Sequence, residues 1–179
     1  IQAELSKPLK LAPKADGRVE VLIIHTHATE SYEGYDADYY DKRNTWRSTD
    51  NNRNMVAVGN VLEQKLTEAG IGVVHDTAQY DYPSYTGSYD RAAESVKQYL
   101  AEYPDIQLIL DVHRDGIQRD ENTIVKPYTT INGKKAAQIM ILCGSDPDGS
   151  MGIPGWTDNL RTAAAVTNAL EEAFPTLTR

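Results

Sequence analysis

The chain has 179 residues, a formal net charge of -8 and a pI near 5.0. This acidic balance argues against a nucleic-acid backbone as partner, because phosphate binding requires a basic face. The length suits one domain with a single core and no disulfides, and the one cysteine, Cys143, is expected to be a small buried core residue.

No apolar run approaches the roughly 20 residues that cross a bilayer. Because the chain begins with Ile1 rather than Met, we expect a piece of a longer, exported or anchored protein that meets the membrane only through a segment absent here.

The first 18 residues contain two prolines, mixed charge and no sustained period, which predicts a linker or loose arm at 1–18 and a domain at 19–179. The apolar run that follows predicts a first strand ending at Ile24. A polar, tyrosine-rich stretch then extends from Ser31 to about Asn52. It is too long for a simple connection, and loops of that kind beside a candidate site are usually functional.

Two amphipathic helices and two further strands follow. Apolar residues at helical spacing predict a helix over Asn54 to Ala69 that is closed by Gly70, and a second helix is predicted over Ser88 to Glu102. The run GVVH between them predicts a strand. The continuous apolar run from Ile106 to His113 predicts another strand, of the kind found in a sheet that is covered on both faces.

The last third of the chain predicts a hairpin and a helix. Two β-prone runs flank Asn132 and Gly133, a pair that favours a tight turn, so antiparallel strands are expected to join the sheet. A final helix is predicted from about Trp156 to Ala173. The predicted class is therefore α/β: a single domain with a mostly parallel twisted sheet, an antiparallel hairpin and helices on both faces, like phosphorylase/hydrolase folds.

Three potential metal ligands stand at the exit of the first strand, in the run VLIIHTHATES. His25 and His27 point to one face if the extended geometry continues past Ile24, and Glu30 can curl back toward them. His113 stands at the exit of a later strand, and the carboxyl ends of parallel strands share one edge of a sheet. His75, at the end of another strand, is interpreted as a structural histidine.

This set is the kind that a zinc hydrolase requires, namely two histidines, a carboxylate and an open position for water. The spacing His27-x-x-Glu30, followed far along the chain by His113, is reminiscent of metallocarboxypeptidases. Which of His25 and His27 binds the metal stays open, because one of them can instead orient a neighbouring ligand.

Several tracts together resemble one family: HTHATESY, NMVAVGNVL, GIGVVHDT, SYDRAAESV and DVHRDG. In this order they are similar to the catalytic domain of the stage II sporulation protein P family of cell-wall hydrolases. The resemblance implies a Zn2+-dependent N-acetylmuramoyl-L-alanine amidase that also cleaves peptide cross-links. It further implies septal wall remodelling during engulfment, a membrane-anchored location outside the cytoplasm in the full-length protein, peptidoglycan as substrate and a lytic transglycosylase as partner.

The same resemblance assigns residues position by position. The family's two motifs, HTH-x-x-E and D-x-HRD, fall on His25, His27 and Glu30, and on Asp111, His113, Arg114 and Asp115. More distant relatives, the type 3 amidases, complete their site with a glutamate on a late strand. In this chain the run IMILCGSD has no glutamate, and Asp146 just beyond it is the nearest acid.

The proton acceptor is accordingly expected to be Asp146 or Asp115, while Arg114 can stabilise an oxyanion, hold a substrate carboxylate or form a plain ion pair. Tyrosines between 32 and 40 and between 80 and 89 suit stacking on sugars, although they can equally cover loop surface. Two other interpretations stay open: a zinc carboxypeptidase-like peptidase, and a cell-wall-binding module without catalytic activity.

Overall fold

The structure is a computed structural model that describes residues 1–34, 37–43 and 46–179. Its contacts divide the chain into two compact units, one formed by Pro13–Asp115 and the other by Ile1–Ala12 together with Gly116–Arg179. The elements in chain order are α1 (Gln2–Leu5), β1 (Val19–Ile24), α2 (Met55–Glu68), β2 (Gly72–His75), α3 (Ser88–Glu102), β3 (Leu108–Asp111), β4 (Ile117–Asp120), β5 (Thr123–Val125), β6 (Tyr128–Ile131), β7 (Lys134–Ala137) and α4 (Trp156–Ala173). The predicted α/β class, with a parallel sheet and antiparallel strands, is confirmed. The predicted division at residue 18 stays a prediction.

The unit formed by Pro13–Asp115 is built on a three-stranded parallel sheet in the order β2-β1-β3. The central strand β1 forms the core, where Leu22 and Ile23 have no exposed surface. Because all three strands are parallel, their carboxyl ends lie at one edge of the sheet. The residues that follow β1 and β3 therefore meet at this edge.

Helix α2 packs against β2 and β1. It begins where the Asn54 side chain accepts a hydrogen bond from the Val56 N–H at 3.0 Å, and Gly70 follows its C-terminal end with φ +83°. Gly59 allows the close approach of the helix to the sheet: a Cβ there would lie 2.4 Å from His75 Nε2 and 2.5 Å from His25 Nε2. The bounds predicted for both helices of this unit are confirmed to within a residue.

The strand predicted from Ile106 to His113 is shorter and more exposed than expected. It covers Leu108–Asp111 and is an outer strand of the sheet, next to β1 only. Half-buried and exposed positions alternate along it, and Ile109 is 39% exposed. The prediction that it is covered on both faces was wrong. Apolar character alone does not distinguish an edge strand from a central one.

The other unit contains two hairpins and the helices α1 and α4, which pack against each other. The turn predicted at Asn132 and Gly133 joins β6 to β7, and both residues have positive φ, as this tight turn requires. The hairpins β4-β5 and β6-β7 form separate two-stranded sheets, so in the described residues neither extends the parallel sheet as expected. A hairpin satisfies its inner hydrogen bonds by itself and does not have to join a larger sheet.

The second of the two β-prone runs forms a strand only as far as Ala137, and the apolar residues after it belong to no regular strand. Ile139 makes only an isolated bridge to Thr178, and Leu142 is 80% exposed. Cys143 is half-buried rather than a buried core residue. The short helix α1 is tied to this unit by an ion pair in which Arg161 Nη1 lies 3.0 Å from Glu4 Oε2.

Candidate metal centre

Three side chains at the carboxyl edge of the parallel sheet can hold one metal ion. His27, Glu30 and His113 each offer a ligand atom, and these atoms all lie within 4.8 Å of one another. We call these three residues the ligand cluster. His27 and Glu30 come from the turn after β1, and His113 follows β3, so the cluster joins two neighbouring strand ends.

The turn after β1 is what places Glu30 beside His27. The strand ends at Ile24, residues 26–29 turn back, and the Glu30 N–H donates to the His27 carbonyl at 3.1 Å. As a result, Glu30 Oε1 lies 3.8 Å from His27 Nδ1. The predicted return of Glu30 toward the histidines is therefore present.

His25 lies outside the ligand cluster, beneath it in the core. It has no exposed surface, and its Nδ1 is 2.9 Å from the Val112 carbonyl while its Nε2 is 2.9 Å from His75 Nε2. The two histidines do not converge, because the extended geometry ends at Ile24 and the turn sends His27 elsewhere. Both ring nitrogens of His25 are occupied, so the geometry favours His27 over His25 as a ligand.

His113 is oriented by a carboxylate of its own strand. Its Nε2 lies 2.9 Å from Asp111 Oδ2, and its Nδ1 lies 3.7 Å from Glu30 Oε2. Asp111 is fixed in turn by the backbone N–H and the hydroxyl of Thr26, at 2.9 and 2.7 Å. The hydrogen bond to Asp111, together with the nearby Glu30 carboxylate, raises the pKa of His113 to about 9.

His27 is oriented by groups from a distant part of the chain. Its Nε2 lies 3.1 Å from the hydroxyl of Ser88, the first residue of α3. The Tyr85 ring stacks on the imidazole at 4.5 Å, and Tyr89 meets it edge-on at 5.2 Å. Burial lowers the pKa of His27, which favours the neutral imidazole that can bind a metal.

Glu30 is buried, and three groups hold its carboxylate. Oε2 accepts the Arg114 backbone N–H at 3.0 Å, and Oε1 lies 3.7 Å from Arg47 Nη2. Burial acts to raise the pKa of Glu30, but the nearby His113 and the hydrogen bond from the Arg114 N–H outweigh it and leave this pKa below its ordinary value. The carboxylate is therefore ionised at neutral pH, as a metal ligand must be.

Arg47 and Asp81 are parts of this site that sequence reasoning missed. The long polar loop returns to form a bridge between Glu30 and Arg47, and Arg47 Nη1 donates to Asp81 Oδ2 at 2.6 Å. Asp81, whose side chain is fully buried, also accepts the Thr29 N–H and hydroxyl at 3.2 and 2.5 Å. The only signal in the sequence is the unusual length of this polar loop beside the ligand motif.

The three predicted catalytic residues lie in different settings. Asp146 belongs to the other unit, where its carboxylate accepts the N–H groups of Met151 and Ile153 at 2.9 and 2.8 Å and closes a loop. These backbone hydrogen bonds lower the pKa of Asp146. The guanidinium of Arg114 donates to the Asp115 and Trp46 carbonyls at 3.2 and 3.3 Å.

The donor atoms of the ligand cluster fit a divalent metal. Two imidazole Nδ1 atoms face one ionised carboxylate, while each Nε2 is engaged by a different group, the Ser88 hydroxyl or the Asp111 carboxylate. An outward partner of this kind fixes the ring and the tautomer of a metal-binding histidine. Two histidines and one carboxylate form a known set for catalytic zinc, which keeps its fourth position open.

Fold and site together define the class of this protein: an α/β protein with a two-histidine, one-carboxylate group, able to hold a metal, at the carboxyl edge of a parallel sheet. The family model described as stage II sporulation protein P matches residues 2–179. The chain belongs to this family, and its resemblance to that family is confirmed.

The stage II sporulation protein P of Bacillus subtilis (strain 168) is 28% identical to this chain over 163 residues, which are 88% of this chain and 37% of that relative. The chain thus spans little more than a third of the relative that it matches. No solved structure matches it. Among the described residues, no helix has the length and apolar character needed to span a membrane.

Proposed function

We propose that this chain is a zinc-dependent peptidoglycan hydrolase. The bond cleaved is the amide between N-acetylmuramic acid and L-alanine, together with cross-links between stem peptides, in septal wall remodelling during engulfment. The observation that supports this proposal is the ligand cluster of His27, Glu30 and His113, found in a member of a sporulation protein family. Peptidoglycan is an amide-rich polymer of the envelope, where we place the full-length protein.

A catalytic zinc ion requires three protein ligands and one open position, and the ligand cluster supplies three. When bound, zinc supplies an acidified water and polarises the carbonyl of the scissile amide. Asp111 and Ser88 hold the two imidazoles so that each Nδ1 faces the same point. The Arg114 N–H and Arg47 hold the Glu30 carboxylate opposite them.

The proton of the attacking water needs an acceptor near the cluster. We assign this role to Asp115, which is exposed and stands two residues after His113 in the same unit. Asp146 stays a prediction from the sequence, and its low pKa together with two backbone hydrogen bonds makes it a weak base. The expected difference is that Asp115→Asn lowers kcat about 100-fold with zinc retained, whereas Asp146→Asn lowers stability.

Arg114 carries a positive charge beside the cluster, and its guanidinium donates to the backbone carbonyls of Asp115 and Trp46. We assign it to the oxyanion of the tetrahedral intermediate or to a carboxylate of the stem peptide. Tyr85 and Tyr89 are 55% and 62% exposed beside the ligand histidines, and they offer ring surface and hydroxyl groups to a sugar or a peptide. The proposed partner is a lytic transglycosylase, which would cut the glycan strands of the same wall.

The test is digestion of purified muropeptides with the zinc content measured in parallel. We expect about one equivalent of zinc per chain, and release of stem peptides that stops on chelation and returns when zinc is added. Cleavage of cross-links alone, with the lactyl-to-alanine bond intact, would favour the peptidase alternative. Binding to sacculi without turnover at full zinc occupancy would show a wall-binding module and refute the hydrolase.

A further inference from the structure

The loop of residues 80–87, which leads into α3, is folded around one arginine. Arg91 Nε donates to the Tyr80 carbonyl at 2.8 Å, Nη1 donates to the Thr86 carbonyl at 3.1 Å, and Nη2 donates to the Ser84 carbonyl at 2.6 Å and also to that of Tyr80. One guanidinium therefore holds three carbonyls of the same loop. The planar, fixed fork of an arginine suits this role because its donors stand on three separate nitrogens, whereas a lysine offers all its donors from one nitrogen.

Gly87 is part of the same arrangement. It has φ +79°, a conformation that glycine adopts without strain, and a Cβ there would lie 3.1 Å from Arg91 Nη1. The residue at this position must have a left-handed backbone conformation and no bulky side chain, so that the guanidinium can reach the loop. The chain then enters α3 at Ser88.

This loop delivers two groups to the metal ligand His27. Tyr85 stacks on the imidazole at 4.5 Å, and the Ser88 hydroxyl, in a residue only 2% exposed, lies 3.1 Å from Nε2. A hydroxyl that accepts the Nε2–H leaves Nδ1 unprotonated, and Nδ1 is the nitrogen that faces Glu30. The orientation and tautomer of His27 therefore depend on where this loop places Ser88.

The two histidines of the ligand cluster differ in how far along the chain the group that orients them lies. His113 takes its orienting carboxylate from Asp111, two residues earlier on its own chain segment. His27 takes its orienting hydroxyl from Ser88, 61 positions away, which begins α3 directly after the loop that Arg91 holds. His27 is thus the ligand that a remote change can misplace.

We propose that Arg91 is a positioning residue for metal binding: through the loop it holds, it fixes Ser88 and so presents Nδ1 of His27 to the metal. This inference rests on the proposed metal centre and deepens it. Arg91 contacts no member of the ligand cluster, and its role is to set the affinity of the cluster for zinc.

The experiment measures the zinc dissociation constant by competition with a chromogenic chelator. Arg91→Lys, Arg91→Ala and Ser88→Ala are each expected to raise it about 10- to 100-fold, the usual effect of removing a group that orients a metal ligand. Both residues act through the one hydrogen bond between Ser88 and His27. The double variant Arg91→Ala with Ser88→Ala is therefore expected to bind zinc no more weakly than the weaker-binding of the two single variants. Lys97→Ala, which removes only an exposed ion pair on α3, is the matched control and should bind zinc like the wild type.

A second readout follows the imidazole directly. Long-range proton–nitrogen spectra of the histidine rings should show Nε2–H and metal-bound Nδ1 for His27 in the wild type and in Lys97→Ala, and a changed pattern in the Arg91 variants. Wild-type affinity in Arg91→Lys or Arg91→Ala would overturn the proposal, as would additive losses in the double variant. Where Arg91→Ala does not fold, Arg91→Lys and Ser88→Ala carry the test. A wild-type protein that binds no zinc would refute the proposed function instead, so the two failures are distinct.

Discussion

Asp111 Oδ2 lies 2.9 Å from Nε2 of His113, and this one contact links the acid–base behaviour of the site to its metal-binding geometry. It fixes the ring so that Nδ1 faces Glu30, and it contributes most to raising the pKa of His113 to about 9. Without metal, the histidine is therefore protonated at neutral pH. A metal ion bound at Nδ1 of His113 would therefore compete with the proton on that nitrogen.

Zinc binding is accordingly expected to depend on pH through His113. Binding must displace its proton at any pH below about 9, so the affinity falls as the pH is lowered, by about tenfold per pH unit from this group. Asp111→Asn removes the carboxylate, lowers the pKa of His113 and weakens zinc binding about 10- to 100-fold. Chelator competition from pH 6 to 9 measures both effects, and a flat profile in the wild type would contradict them.

The stability of the metal-free protein should show the opposite dependence. A pKa that is raised in the folded state means that protonation stabilises the fold, and this contribution is complete below the ordinary histidine pKa of about 6.5. It is lost as the pH rises through about 9. Thermal unfolding of the metal-free protein should therefore occur at lower temperature at pH 9.5 than at pH 6.5, with a smaller difference in Asp111→Asn.

The two histidines after β1 are expected to respond differently to substitution. His27→Ala removes a ligand, so the protein should lose stoichiometric zinc. His25→Gln should retain about one equivalent, because both nitrogens of His25 are occupied by the Val112 carbonyl and His75. Metal analysis of both variants after gel filtration shows whether His27 or His25 is the ligand. Loss of zinc in His25→Gln with retention in His27→Ala would identify His25 as the ligand instead.

The pair formed by the partly exposed Arg47 and the buried Asp81 is expected to stabilise the loop that supports Glu30. Asp81→Asn leaves Arg47 without its 2.6 Å partner and should lower the free energy of unfolding by about 2 kcal/mol, the effect of losing a hydrogen bond to a charged group. Asp41→Asn breaks an ion pair of the same length on the surface, where such pairs contribute at most about 1 kcal/mol. Urea unfolding of both variants checks the difference, and equal losses would contradict it.

Gly59 is expected to tolerate no side chain. In Gly59→Ala the new methyl group would lie 2.4 Å from His75 Nε2 and 2.5 Å from His25 Nε2, so helix and histidines must separate. Overpacking of this kind costs about 1–3 kcal/mol. Gly34→Ala is the control, because no atom of the described residues lies within 4 Å of the position its Cβ would take. Equal stability of the two variants in urea would show that α2 can shift freely.

Local pattern was sufficient for much of the fold. The spacing of apolar residues located α2 to within a residue, and the Asn132-Gly133 pair located the turn of a hairpin. These features depend on neighbours within a few residues, which the sequence contains directly. The order of the strands in the sheet was not predictable from local pattern. The apolar run of β3 reads as a central strand, yet the strand lies at an edge, since burial depends on what packs beside it.

The sequence by itself also determined which residue types converge: histidine and glutamate after one strand, and a histidine after another, at the shared edge of a parallel sheet. Only the tertiary structure decided that His27 rather than His25 joins the cluster, because a turn that begins after Ile24 ends the alternation that would have paired them. It alone brought in Ser88, Arg91, Arg47 and Asp81. Ser88, Arg47 and Asp81 act through contacts across 18 to 61 positions of the chain, and Arg91 acts only through the loop that leads to Ser88. Separations of that size leave no periodicity in the sequence.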